Sequence, residues 1–184
     1  MIIFDYNAKN EPQGGITIEN ARVHCSVPKL TGVLFRNYPE LRIAELQVEG
    51  CAFENCRTVR FEDCSVEDCS FARIDTLYAD RTPIVGSGFA HLRCDDDCVI
   101  SLEDSNITQC AFQDVVLTEE SYLIDATGDV WIEACIFENI CTDREDRELF
   151  FCEEITGKLF KRKKQLCVVD EDSCTGLDKV RYIG

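Results

Sequence analysis

Residues 46–74 read LQVEGCAFENCRTVRFEDCSVEDCSFARI. The triplet Cys51-Ala-Phe53 returns eighteen residues later as Cys69-Ser-Phe71. With its first residue as anchor, the pattern continues at Ser87/Phe89, Cys110/Phe112 and Cys135/Phe137, in further steps of 18, 23 and 25. Five of the eleven Phe in the chain therefore fall in one register. Self-similarity of this kind marks a stack of short units, each unable to bury its apolar face alone.

The flanks keep the same register. Three residues before each anchor stand Val48, Val66, Ile84, Ile107 and Ile132. Five before stand Leu46, Cys64, Thr82, Ser105 and Val130, and five after stand Cys56, Ile74, Leu92, Val115 and Ile140. Eight before, the column reads Ile43, Phe61, Ala79 and Leu102, then weakens at Thr127. Within a unit the apolar residues come in pairs two apart, and the pairs repeat every five. A spacing of two puts both side chains on one face of a strand. Glu-Gly, Glu-Asn and Glu-Asp recur between pairs, at Glu49-Gly50, Glu54-Asn55, Glu62-Asp63 and Glu103-Asp104. These residue types tolerate the backbone of a tight corner. Period and β-branched content exclude helix here. Each unit is then one turn of a solenoid, with Phe filling the widest part of the tube and the small Cys or Ser fitting where the wall bends inward.

The units VRFEDCSVEDCSF, ISLEDSNITQCAFQD and VWIEACIFENI resemble turns of right-handed parallel β-helix proteins, the pectin-lyase-like superfamily. Residues 100–119, ISLED-SNITQ-CAFQD-VVLTE, are also similar to pentapeptide-repeat proteins, although the five-residue phase slips at Thr58/Val59. The resemblance covers about residues 16–140 and implies an all-β, right-handed parallel β-helix solenoid of about five to seven turns. It carries fold and not function. Residues 1–15 are expected to cap one end, and residues 141–184 to form a cap and tail at the other. Thr142-Asp-Arg-Glu145 fits a capping box and Gly157 a helix stop, so a capping helix is expected from about 143 to 156. The competing reading is a strand at Leu149–Phe151, with one or two further strands outside the repeat in KRKKQLCVVDEDSC.

The 184 residues suffice for one domain with a real core. Thirteen Cys, an odd number at irregular spacings, read as reduced thiols and point to a cytoplasmic protein. No apolar run reaches the length of a membrane span. A formal net charge of −16 opposes direct binding to nucleic acid.

Candidate chemistry is sparse. His91, Cys94 and Cys98 form H-x-x-C-x-x-x-C, short of the four ligands of a closed zinc site. Asp95-Asp96-Asp97 lacks the alternation of a calcium loop. The cysteine column reads as a small apolar ladder. Neither metal nor cofactor is expected. Asp95, Asp96 and Asp97, with Glu119 and Glu120, lie in connections that lengthen at one corner and form a candidate acidic edge. Trp131, between inward Val130 and Ile132, is expected to face out. The residue between anchor and Phe is Ala52, Ser70, Gly88, Ala111 and Ile136, an outward column with no charge. Such a strip is flat and cheap to desolvate. It is the candidate surface for a protein partner or self-association, with the C-terminal LCVV at 166–169 as an internal cover.

The leading expectation is a non-enzymatic scaffold or protein-interaction module. A carbohydrate-binding or carbohydrate-active protein is the alternative; it would want a Lys/Arg cluster on the wall, where only Arg42 and Arg60 stand in line. A third is an acidic DNA-mimic inhibitor of a DNA-binding enzyme, as the pentapeptide resemblance implies.

Overall fold

The left-handed backbone region organises this chain. In the computed structural model, which describes residues 1–9, 11–94, 97–118, 121–142, 150–153 and 167–169, non-glycine residues with φ near +50° recur at regular intervals. They fall on three corners. One carries Gly32, Gly50, Asp68, Gly86, Gln109 and Ala134, another Glu45, Asp63, Arg81 and Asp104, and the third Asn37, Asn55, Arg73, His91, Asp114 and Asn139. Each corner residue turns the chain from one short strand to the next. Its N–H then reaches a carbonyl of the following rung: Gly50 to Glu67 at 3.0 Å, Asp63 to Asp80 at 3.0 Å, Asn55 to Ala72 at 3.0 Å. Gly86 (φ +63°) takes this backbone without strain, and a Cβ there would lie 2.6 Å from Asp68 Oδ1, which would have to swing aside.

Three corners make three sheets, in each of which neighbouring strands come from successive rungs. The first sheet runs Ile2–Asp5, Val33–Arg36, Ala52–Glu54, Ser70–Ala72, Gly88–Cys94, Ala111–Leu117, Cys135–Thr142 and Cys167–Val169. The second runs Lys29–Thr31, Gln47–Glu49, Ser65–Glu67, Ile84–Val85, Asn106–Thr108 and Trp131–Glu133. The third runs Ile16–Glu19, Arg22–Cys25, Glu40–Ala44, Thr58–Glu62, Thr76–Asp80, Cys98–Glu103, Tyr122–Thr127 and Phe150–Glu153. Among the described strands pairing is parallel except between Ile16–Glu19 and Arg22–Cys25, an antiparallel hairpin that Gln13 extends by a bridge to Ile16. The result is an all-β, solenoid-like fold.

The Phe register holds and is longer than the repeat predicts. Phe4, Phe35, Phe53, Phe71, Phe89, Phe112 and Phe137 stack in one column, with centroids 4.7–6.0 Å apart and rings within 15° of parallel. All are essentially fully buried. The 4.8 Å strand spacing sets the ring spacing, and burial of each ring supplies the larger energy. The inward columns at Val48/Val66/Ile84/Ile107/Ile132 and Cys56/Ile74/Leu92/Val115/Ile140 are buried as expected. The column ending at Thr127 needs one correction. Leu102 pairs with Ala126, because Gly128 and Asp129 add a residue at the corner.

The cysteines do more than fit a narrow bend. Cys51 Sγ donates toward the carbonyls of Leu30 (3.6 Å) and Glu49 (3.5 Å), and Cys64 Sγ toward those of Ile43 (3.4 Å) and Glu62 (3.3 Å). Ser105 at the equivalent position donates to Ala79 (3.0 Å) and Glu103 (2.8 Å) and accepts the Thr82 N–H at 2.8 Å. Corner backbone groups buried away from water need such partners. That explains why Cys, Ser and Thr interchange in these columns.

Two expectations at the C-terminal end are overturned. The capping helix over 143–156 does not survive, since Phe150–Glu153 is a strand paired in parallel with Ile124–Thr127; the rest of that span lies outside the described residues. The strand Cys167–Val169 is not outside the repeat but continues the first sheet, with Cys167 opposite Cys135. At the N-terminal end, Ile2–Asp5 pairs with Val33–Arg36.

Two substitutions test this frame. Phe112→Ala should cost about 3–5 kcal/mol in urea unfolding, as large aromatic truncations in cores do; a loss under about 1 kcal/mol would refute the ladder. Ala134, exposed at φ +55°, carries left-handed strain that glycine relieves, so Ala134→Gly should gain about 0.5–1 kcal/mol.

Candidate functional site

Inward columns are dictated by packing, so surface chemistry resides in the outward columns. The third sheet carries the most distinctive one. Its register aligns Arg22, Arg42, Arg60, Tyr78, Ser101 and Asp125 across successive strands. Arg42 and Arg60 were legible from the repeat. Arg22 was not, because it lies on the antiparallel hairpin, outside the repeat's spacing. That hairpin closes through Asn20 (φ 50°) and Ala21 (φ 65°), the two left-handed residues of a type I′ turn. The Ala21 carbonyl accepts the Arg42 N–H at 2.8 Å and so fixes the hairpin's register on the sheet.

Glu40 bridges two of the arginines. Its Oε1 lies 2.8 Å from one Arg42 terminal nitrogen, 2.9 Å from Arg42 Nε and 3.4 Å from Arg60 Nε. The Arg60 guanidinium lies 3.8 Å above the centre of the Tyr78 ring. Arg22 is exposed and makes no ion pair among the described residues. Beside this run lies an open groove of about 810 Å³, bordered by Tyr6, Tyr38, Arg57, Thr58, Asp75 and Tyr78. A second hollow of about 510 Å³, holding Arg22, His24, Arg42 and Glu62, adjoins it through Arg60 and Asn20.

The outer face of the first sheet is of opposite character. Its register aligns Ile3, Leu34, Ala52, Ser70, Gly88, Ala111 and Ile136. Ile3 and Ile136 are 45% and 44% exposed. Ala52, Ser70, Gly88, Ala111 and Ile136 do face outward, half-buried to exposed, and Ile3 lengthens the column, whereas Leu34 between them is only 4% exposed and so is covered. The strand Cys167–Val169 lies at the end of this sheet rather than over its face; the rest of the C-terminal segment expected as a cover lies outside the described residues. Trp131 is 46% exposed, as expected of an outward residue, and sits at the end of the second sheet opposite Asn106.

The remaining candidates disperse. Asp97 is exposed, while Asp95, Asp96, Glu119 and Glu120 lie outside the described residues. Cys94 and Cys98 are buried, and His91 turns outward with Nδ1 3.2 Å from Asp114 Oδ2. Among the described residues no three His, Cys, Asp or Glu side chains are grouped to hold a metal ion, and no helix is long and apolar enough to cross a membrane. Asp63, Asp68, Asp104 and Asp114 occupy left-handed corners, so the turn accounts for them. At one such corner the Arg81 guanidinium grips both Asp63 oxygens, at 2.7 and 3.0 Å, and holds that carboxyl below its usual range.

No protein-family model matches this chain, and no curated protein sequence does so either.

The cysteines from Cys25 to Cys141 are free thiols. Burial pushes Cys56 up to about 11 and Cys98 up to about 12, and raises Cys64. Burial likewise pushes the Tyr38 hydroxyl up to about 12. The unfolded chain releases these protons at its ordinary values, 9.0 for the thiol, while the folded chain retains them. Their contribution to stability is thus complete below about pH 9 and is lost as pH rises toward about 12. The urea midpoint should fall steeply between pH 9 and pH 11, and iodoacetamide at pH 8 should label these thiols only after unfolding. A midpoint independent of pH in that window would contradict the buried, protonated assignment.

Proposed function

We propose that the chain is a non-enzymatic binding scaffold, a right-handed parallel β-helix of the pectin-lyase-like kind with five to seven turns. It holds a protein partner, or a second copy of itself, along the outer face of the first sheet. The observation that carries this reading is the uncharged column from Ile3 to Ile136 on a protein of net charge −16. Two residues along the same strands the outward column contains Asp5, Arg36, Glu54 and Glu138 beside Ala72, Ala90 and Gln113. Strands that face only water carry such residues, and a flat strip of small side chains is cheap to desolvate. The structural role of the corner aspartates supports the absence of catalytic work.

Ala111→Glu is the test, because the exposed position accepts a charge without disturbing the core. If a second copy covers the strip, sedimentation should give a smaller species with the circular dichroism unchanged. With a different partner protein, mass should stay constant while capture of that partner is lost. If mass, stability and capture are all unchanged, the strip is bare and the reading falls.

A further inference from the structure

The Arg22–Arg42–Arg60 run is an electrostatic oddity. Like charges directly opposite on neighbouring strands repel, and the chain has 35 acidic residues with which to interleave them. Elsewhere it does so: Arg36 meets Glu54 at 3.0 Å, Arg81 meets Asp63 at 2.7 Å, and Lys29 meets Glu49 on the adjacent strand. Among the described residues only the third sheet places three arginines in register, about 4.8 Å apart from strand to strand. Glu40 offsets part of the repulsion for Arg42 and Arg60; Arg22 stands opposite Glu19 on the hairpin, yet makes no ion pair among the described residues, so its guanidinium keeps its donors.

We propose that this run and the tyrosine-bordered groove beside it form a binding site for a phosphorylated sugar. The phosphate would lie on Arg22 and the free edges of Arg42 and Arg60, and the sugar ring in the groove. Guanidinium groups bind phosphate oxygens through paired N–H bonds, and three in a row present more donors than one carboxylate can use. One carboxylate, Glu40, already sits between two of them. An incoming monoanion would gain little against it, whereas a phosphate monoester brings about two charges and three acceptor oxygens. The net charge of −16 works against a long polyanion. A small ligand feels mainly the local field, since charges beyond about 8 Å are screened at physiological ionic strength. The groove supplies what a ring with hydroxyls needs: Tyr6 and Tyr78 as apolar flanks, with Asp75, Thr58 and Arg57 as polar partners. This site is on a different sheet from the uncharged strip, so the two proposals stand or fall separately.

Titration calorimetry of the full chain decides it, with glucose 6-phosphate, inorganic phosphate, glucose and trigalacturonate as probes. Glucose 6-phosphate should bind about tenfold or more tighter than inorganic phosphate, and glucose not at all. Arg22→Gln and Arg42→Gln, both at exposed positions, should each weaken it about tenfold with the circular dichroism unchanged, the size expected for a lost charged hydrogen bond. Tyr78→Phe should leave binding nearly intact, and Tyr78→Ala should remove the preference for the ester over inorganic phosphate. The proposal is overturned if trigalacturonate binds and the phosphates do not. It is equally overturned if inorganic phosphate binds as well as the ester, or if the arginine variants bind as the parent does.

Discussion

The left-handed corner is the constraint on which everything else rests. An L-residue held there costs about 1–2 kcal/mol, and this chain accepts that cost at position after position. A lone rung could not sustain it. The compensation comes from the next rung, whose carbonyl accepts the corner N–H and whose Phe covers the previous ring. Corner side chains extend the same ladder: Asn37 Nδ2 donates to Asp5 Oδ1 at 3.0 Å, and Asn55 Nδ2 to Asn37 Oδ1 at 3.3 Å. Stability is therefore a property of neighbours, and the stack folds as a sum of interfaces rather than around one centre.

The stretch from Cys51 to Phe137 was readable because inward residues obey the five-residue side whatever the corner carries. Phe35 stood eighteen residues before Phe53 and was equally accessible, but its anchor is Val33, which hid it from a search for Cys or Ser. Phe4 was hidden by the hairpin inserted between it and Phe35. At the other end, Thr142-Asp-Arg-Glu145 offered a sound local signal for a helix, yet the free edge of Tyr122–Thr127 takes Phe150–Glu153 as a strand. Local capping preference is worth about 1 kcal/mol, less than a row of ladder hydrogen bonds and buried apolar side chains.

The surface was less legible for a related reason. Outward residues have no packing requirement, so their columns show no periodicity until the register is known. The uncharged strip could be read because it shares the anchor's spacing. Arg22 could not, since the hairpin breaks the repeat just where it places that residue beside Arg42. An acid-rich composition pointed instead toward the long connections, where the geometry brings no described group together.

The hydrogen bonds that join one strand to the next all run along the stack, from Ile2–Asp5 at one end to Cys167–Val169 at the other. That gives the molecule a mechanical grain. Tension applied end to end loads these bonds one rung at a time and peels the coil like a spring being unwound, each rung yielding before the next is stressed. Tension applied across the stack, along the strands, loads a whole row of bonds together in shear. The same protein is soft in one direction and stiff in the other.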